Sequence, residues 1–158
     1  LISFTLNGEP RQVSVEDNEL LVDILRDKLG QKGTKKSCAS GECGCCTVLL
    51  NGCAVDSCLV LAAEAQDAEI ETIEGLAKGQ QLHPLQEQFV EKGAVQCGFC
   101  TPGIIMSAAG LLRQNEAPSE EEVRRAITGN YCRCTGYVKP VQAILAAAQL
   151  LQKEGETS

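Results

Sequence analysis

The run Cys38-Ala39-Ser40-Gly41-Glu42-Cys43-Gly44-Cys45-Cys46 places three cysteines at C-x4-C-x2-C inside a glycine-punctuated loop, and this constrains the chain more than any other feature. A loop of that spacing can wrap a metal cluster. Gly41 and Gly44 suit it, because backbone must approach the metal-bound sulfurs closely and aim N–H groups at them, which side chains would obstruct. Cys45 falls outside the pattern. The chain holds 10 cysteines in 158 residues, an even number that five disulfides could use. Disulfide density belongs, however, to secreted chains too small to build a core, and this chain is long enough for one domain or two small ones, of which two is the preferred reading.

Cys38, Cys43 and Cys46 match the spacing with which plant-type ferredoxins hold a [2Fe–2S] cluster. The fourth ligand is either Cys53 or Cys58, and hairpin geometry separates them. Thr47-Val48-Leu49-Leu50 runs into Asn51-Gly52, a strong two-residue turn. Pairing Leu50 with Cys53 and counting outward brings Cys58 opposite Cys45, beside the loop, and leaves Cys53 at the turn, roughly 16 Å away. Cys58 is therefore the expected ligand; the alternative makes Cys58 a buried strand cysteine.

Around this loop the pattern is that of a small mixed sheet. Ile2, Phe4 and Leu6 alternate with polar residues, Asn7-Gly8 turns the chain, and a second run carries Val13 and Val15. Asp17 or Asn18 is placed to cap a helix with Leu21, Ile24, Leu25 and Leu29 on one face and Gly30 as its stop. The hairpin from Thr47 to Leu59 and a late strand at 70–73 complete a β-grasp ferredoxin-like order. The expected fold is α+β, with this domain over residues 1–75 and a helical domain over 76–158 arranged as a four-helix bundle. In the second half, Pro84 opens a helix that ends at Gly93, with His83 an N-terminal helix residue rather than a ligand. Pro102 opens another, with Thr101 placed to cap it. Ser119 and Glu122 form a capping box, and Pro140 opens the last helix.

Cys97-Gly98-Phe99-Cys100 at one helix start and Cys132-Arg133-Cys134 before the last helix form a second set of four thiols. Structural zinc favours two C-x2-C pairs, so the C-x-C spacing favours a second [2Fe–2S] cluster. The helix N-terminus after Cys100 favours thiolate charge there. With one histidine, the chain has too few for a Rieske centre or a two-Cys two-His finger.

A net charge of −7, with no Trp and few aromatics, argues against nucleic acid. Two oxidised clusters with their thiolates would bring the total to about −11, which fits an electron carrier. No apolar run is long enough for a transmembrane helix and no signal peptide is visible, so a cytoplasmic location is expected. Because the chain starts at Leu1, periplasmic export through a removed signal stays open.

The runs CASGECGCCTVLLNG, VDSCLVLA, GAVQCGFCTPGIIM and TGNYCRCTGY resemble the iron–sulfur small subunit, or domain, of the molybdenum hydroxylases, the family of xanthine dehydrogenase, aldehyde oxidase and carbon monoxide dehydrogenase. The resemblance covers nearly the whole chain. It implies a relay in which electrons from a molybdopterin site, in its cytosine dinucleotide form on a large subunit, pass through two [2Fe–2S] clusters to FAD on another subunit or to another acceptor. It implies that Cys38, Cys43, Cys46 and Cys58 hold the cluster nearer the flavin, and Cys97, Cys100, Cys132 and Cys134 the one next to the pterin. It places Gln96 and Cys134 against the pterin and implies a dimer of heteromers, with no catalytic residue or substrate site on this chain. Cys45 stands where the family usually has Ala, and Tyr131 where Leu is common; Cys45 is expected to pack as a small hydrophobe. Two rival readings are a colourless zinc-structured interaction module and a free-standing ferredoxin. A bundle-enclosed second cluster argues against the second. The sequence leaves the substrate open among purines, aldehydes, N-heterocycles, aromatic thioesters and CO.

Overall fold

The computed structural model describes residues 1–156. Strands β1 (Ile2–Leu6) and β2 (Glu9–Val13) form the first hairpin, and β3 (Thr47–Leu50) and β4 (Cys53–Asp56) the second. With β5 (Glu69–Glu71) they make one sheet in the order β2-β1-β5-β3-β4. The β1–β5 pair is parallel and the others are antiparallel. Both hairpins turn on Asn-Gly with positive φ at each residue: 52° and 82° at Asn7-Gly8, 50° and 80° at Asn51-Gly52. That conformation matches the twist of the flanking strands and fixes their register. Leu50 consequently faces Cys53, as the turn residues dictate.

Alternation along β1 buries Ile2, Phe4 and Leu6. Against them lies α1 (Leu21–Asp23), which widens without a break into a π-helical turn at Ile24–Lys28. Leu21, Ile24 and Leu25 are fully buried there with Val48 and Ile70. Neither Asp17 nor Asn18 caps this helix. Leu20 precedes it in extended conformation, bridged to Leu61, and the Leu21 N–H donates to the Val60 carbonyl, so a neighbouring segment satisfies the helix start. The late strand is also shorter than expected: β5 ends at Glu71, and Ile73–Gly75 is a 3-10 turn pinned by the Asn7 side chain, whose Oδ1 accepts from the Thr72 N–H.

The second half is helical: α2 (Pro84–Glu91), α3 (Thr101–Gln114), α4 (Glu120–Ala126) and α5 (Val138–Glu156). His83 is the N-cap of α2, its Nδ1 accepting the Leu85 N–H. Burial, then the nearby Arg113 charge, holds its pKa below the ordinary value, which keeps Nδ1 free to accept. Ser119 and Glu122 close their box on α4. Thr101 does not cap α3; Cys100, already helical, precedes it, and Thr101 is the first helical residue. The last helix starts at Val138, so Pro140 lies within its first turn, where a missing N–H costs no helical bond.

Neighbouring residues of β3 face different cores. Val48 belongs to the sheet–α1 core, whereas Leu49 packs with Leu85, Phe89, Ile104 and Ile144 of the helices. Helix α3 is what lies over that second face. A bidentate Arg113–Glu71 pair, both contacts 2.6 Å, ties its end to β5. A Cβ on Gly103 would stand 2.4 Å from the Gly44 carbonyl oxygen and 3.1 Å from Cys45 Cα, so backbone itself would have to move. On Gly110 it would meet Ala54 Cβ, Leu49 Cδ2 and the Ala54 backbone N at 3.2, 3.3 and 3.4 Å, contacts that a shift of a few tenths of an ångström relieves. Replacing helical Gly by Ala gains about 1 kcal/mol of propensity, while overpacking costs about 1–3 kcal/mol. Gly103→Ala is therefore expected to lower the unfolding midpoint clearly and Gly110→Ala to leave it nearly unchanged; thermal unfolding of the two variants side by side checks the order, and equal midpoints would refute the close-approach account.

Candidate metal centres

Between α1 and β3, the loop carrying Cys38, Cys43, Cys45 and Cys46 reverses repeatedly, with positive φ at Ala39, Gly41 and Gly44. Its folding aims backbone donors at sulfur. The N–H groups of Ser40 and Cys43 both point to Cys38 Sγ at 3.4 Å. These donors, Ser40 first, bring the Cys38 thiol down to about 6, a thiolate-favouring environment in the absence of any metal. At the other end of the loop Cys46 and Cys58 are buried together against Val22. The β4 strand stops at Asp56, so Cys58 reaches the loop from the 3-10 turn Ser57–Leu59 rather than from a ladder position opposite Cys45. The Ser57 hydroxyl hooks that turn to the Cys46 carbonyl at 2.7 Å. Burial pushes the Cys46 thiol up to about 12, with the Cys58 backbone working the other way. Cys53 stands exposed at the hairpin turn, apart from this group.

The second set pairs across the two segments. The Cys100 thiol meets that of Cys132, and the Cys97 thiol that of Cys134. Burial, then Cys132, raises Cys100 to about 12. Cys134 is raised chiefly by its hydrogen bond with Cys97. At Cys132 burial also acts upward, but the Thr135 hydroxyl and N–H, 3.1 and 3.4 Å from Sγ, outweigh it and the net direction is down. The Tyr137 hydroxyl accepts the Cys132 N–H at 2.8 Å and holds the C-x-C turn in place. Cys97 and Cys134 are exposed, as is Gln96 beside them.

Among the described residues, no group of three or more His, Cys, Asp or Glu is gathered as one metal ion would require. The thiols instead pair as Cys97 with Cys134 and Cys100 with Cys132, Cys46 and Cys58 are buried together, and Cys38 and Cys43 are joined by the Cys43 N–H on the Cys38 sulfur. Two thiols for each of two irons is the donor set of a [2Fe–2S] centre, and the N–H···S contacts are the kind that tune one. The residues present fit that group in both places.

What sequence reasoning missed is the residue between the two sets. Asn130, 3% exposed, donates from Nδ2 to the Gly44 carbonyl at 3.0 Å and to Thr47 Oγ1 at 3.3 Å, and its Oδ1 accepts the Ser107 hydroxyl at 2.7 Å. Beside it the Tyr131 N–H donates to the Cys43 carbonyl at 2.9 Å. Only the buried position of a side chain with both donor and acceptor reveals this role; no spacing rule marks it. Gly44 is doubly constrained here, since a Cβ would also lie 2.3 Å from the Gly129 carbonyl oxygen.

Two family models divide the chain: a 2Fe-2S iron-sulfur cluster binding domain matches residues 4–77, and a [2Fe-2S] binding domain matches residues 72–145. The nicotinate dehydrogenase small FeS subunit of Eubacterium barkeri is 46% identical over 94% of this chain and 94% of its own length. The xanthine dehydrogenase iron-sulfur-binding subunit of Escherichia coli is 47% identical over 91% of this chain and 91% of its own length. In the crystal structure of quinoline 2-oxidoreductase from Pseudomonas putida 86, a chain 46% identical superposes with a TM-score of 0.92, covering 96% of this chain and 95% of that one. The chain belongs to the iron–sulfur electron-transfer subunits of the molybdenum hydroxylases, built from two [2Fe-2S] binding domains.

Proposed function

We propose that this chain is the wire between a molybdopterin subunit and a flavin subunit, with Cys38, Cys43, Cys46 and Cys58 holding one [2Fe–2S] centre in residues 1–75 and Cys97, Cys100, Cys132 and Cys134 holding the other in residues 76–158. The observation that carries this is the junction between the two thiol sets: next to Cys132, the Asn130 side chain donates to the Gly44 carbonyl and the Tyr131 N–H to the Cys43 carbonyl. When bound, each centre supplies reversible one-electron chemistry. The protein's share is to hold the thiolates, bury Cys46, Cys58 and Cys132 away from water and keep the two loops at a fixed separation. The rival zinc module has no need of two abutting thiol sets.

Exposure around the second set supports a direction. Around the second set Val95, Phe99, Tyr131 and Val138 are exposed apolar residues, which is how a docking face looks before its partner covers it. Gln96 and Cys134 lie at this face, and Gln96 can donate and accept at once, as a pterin amide edge requires. This face docks on a large subunit carrying molybdopterin in its cytosine dinucleotide form; the first set faces the FAD-binding subunit, and the complex is a dimer of such heteromers in the cytoplasm. Relatives named for nicotinate and quinoline make N-heterocycles the first substrates to try, although the substrate pocket is on another chain.

The complex is expected to carry about four irons and four sulfides per copy of this chain. Cys58→Ser should remove the EPR signal of one centre and loosen the fold, because metal-bound thiolates are part of it, while Cys53→Ser should keep both signals. Near-stoichiometric zinc, or loss of a centre through Cys53 and not Cys58, would contradict the assignment. Gln96→Ala is expected to slow reduction of both centres by substrate in stopped-flow absorbance, with dithionite reduction unchanged. An unchanged substrate-driven phase with slowed flavin reduction would put this face on the wrong side of the relay.

A further inference from the structure

Resting on the ligand set just proposed, we infer that Cys45 donates an S–H···S hydrogen bond to the Cys43 sulfur and thereby raises the reduction potential of the N-terminal [2Fe–2S] centre. Cys45 Sγ lies 3.3 Å from Cys43 Sγ, with either thiol able to donate in the metal-free chain. Bound to iron, Cys43 is a thiolate and can only accept, so the donor must then be Cys45. The thiol is held where it is. Cys45 is buried, its carbonyl accepts the Lys35 N–H at 3.1 Å, and Gly103 of α3 packs directly on its Cα. Water therefore does not compete for the proton.

Reduction adds an electron whose charge spreads onto the ligand sulfurs. A donor aimed at one of them stabilises the reduced state more than the oxidised one, so the potential rises. In the relay this lengthens the time an electron spends on the N-terminal centre relative to the same centre without the Cys45 donor. Cys45 thus acts on the centre through Cys43, as a tuning residue rather than a ligand.

An EPR-monitored redox titration of the assembled complex tests this, with Cys45→Ala and Cys45→Ser compared against the unmodified chain. Cys45→Ala is expected to keep both centres and to lower the reduced-to-oxidised ratio of the N-terminal one at fixed potential by about tenfold, equivalent to about 59 mV for one electron. Cys45→Ser, which restores a donor, is expected to keep most of the original midpoint, and the bundle centre should not move in either variant. Unmoved midpoints in Cys45→Ala, or an equal fall in Cys45→Ser, would overturn the inference and make Cys45 a packing residue only. Loss of the N-terminal centre in Cys45→Ala together with its retention in Cys43→Ala would overturn the ligand set itself, an outcome distinct from the other two.

Discussion

The hydrogen bond from Asn130 Nδ2 to the Gly44 carbonyl is the contact on which the rest of the arrangement depends. It joins residues far apart in sequence at a point where both backbones are bare. Gly44, Gly103 and Gly129 meet there, and a Cβ on either of the first two would strike backbone carbonyl oxygen at 2.3–2.4 Å. A buried amide in such a place must be fully satisfied, because each unpaired polar group costs about 1–3 kcal/mol. Gly44, Thr47 and Ser107 satisfy it from the loop, the sheet and α3. The separation of the two thiol sets is thus set by a hydrogen-bond network with little freedom to slide.

Electrostatics divides the cysteines. Where backbone N–H groups converge, as at Cys38, the thiol is already brought down to about 6; where burial dominates, as at Cys46 and Cys100, it is pushed up to about 12. Buried thiolates of the second kind need a metal to offset the desolvation of their charge. Under the proposed ligand set, loading a centre releases the protons of these thiols, and the buried ones bear most of that cost. Cys97 and Cys134 are exposed and lie at the face proposed for the pterin subunit.

Much of this was legible in the sequence, and for identifiable reasons. Asn51-Gly52 dictates a two-residue turn, so the facing of Leu50 and Cys53 and the isolation of Cys53 followed from local chemistry alone. The Ser119 box and the helix start at His83 followed likewise. Misses fall where tertiary contacts override local signals. The Val60 carbonyl supplies the start of α1 and makes an Asp17 or Asn18 cap unnecessary; the ladder ends at Asp56, and a 3-10 turn then delivers Cys58 beside Cys46 by a route that strand counting does not describe. Asn130 and Gly103 left no trace in any periodicity, because their roles exist only once the two halves meet.

The central claim is that two binuclear iron centres flank this one junction. Crystals of the assembled complex, with anomalous differences collected on both sides of the iron edge, test it most directly. The account predicts two pairs of iron peaks, one pair among Cys38, Cys43, Cys46 and Cys58 and the other among Cys97, Cys100, Cys132 and Cys134. A single peak at either set, or peaks that follow the zinc edge, would contradict it.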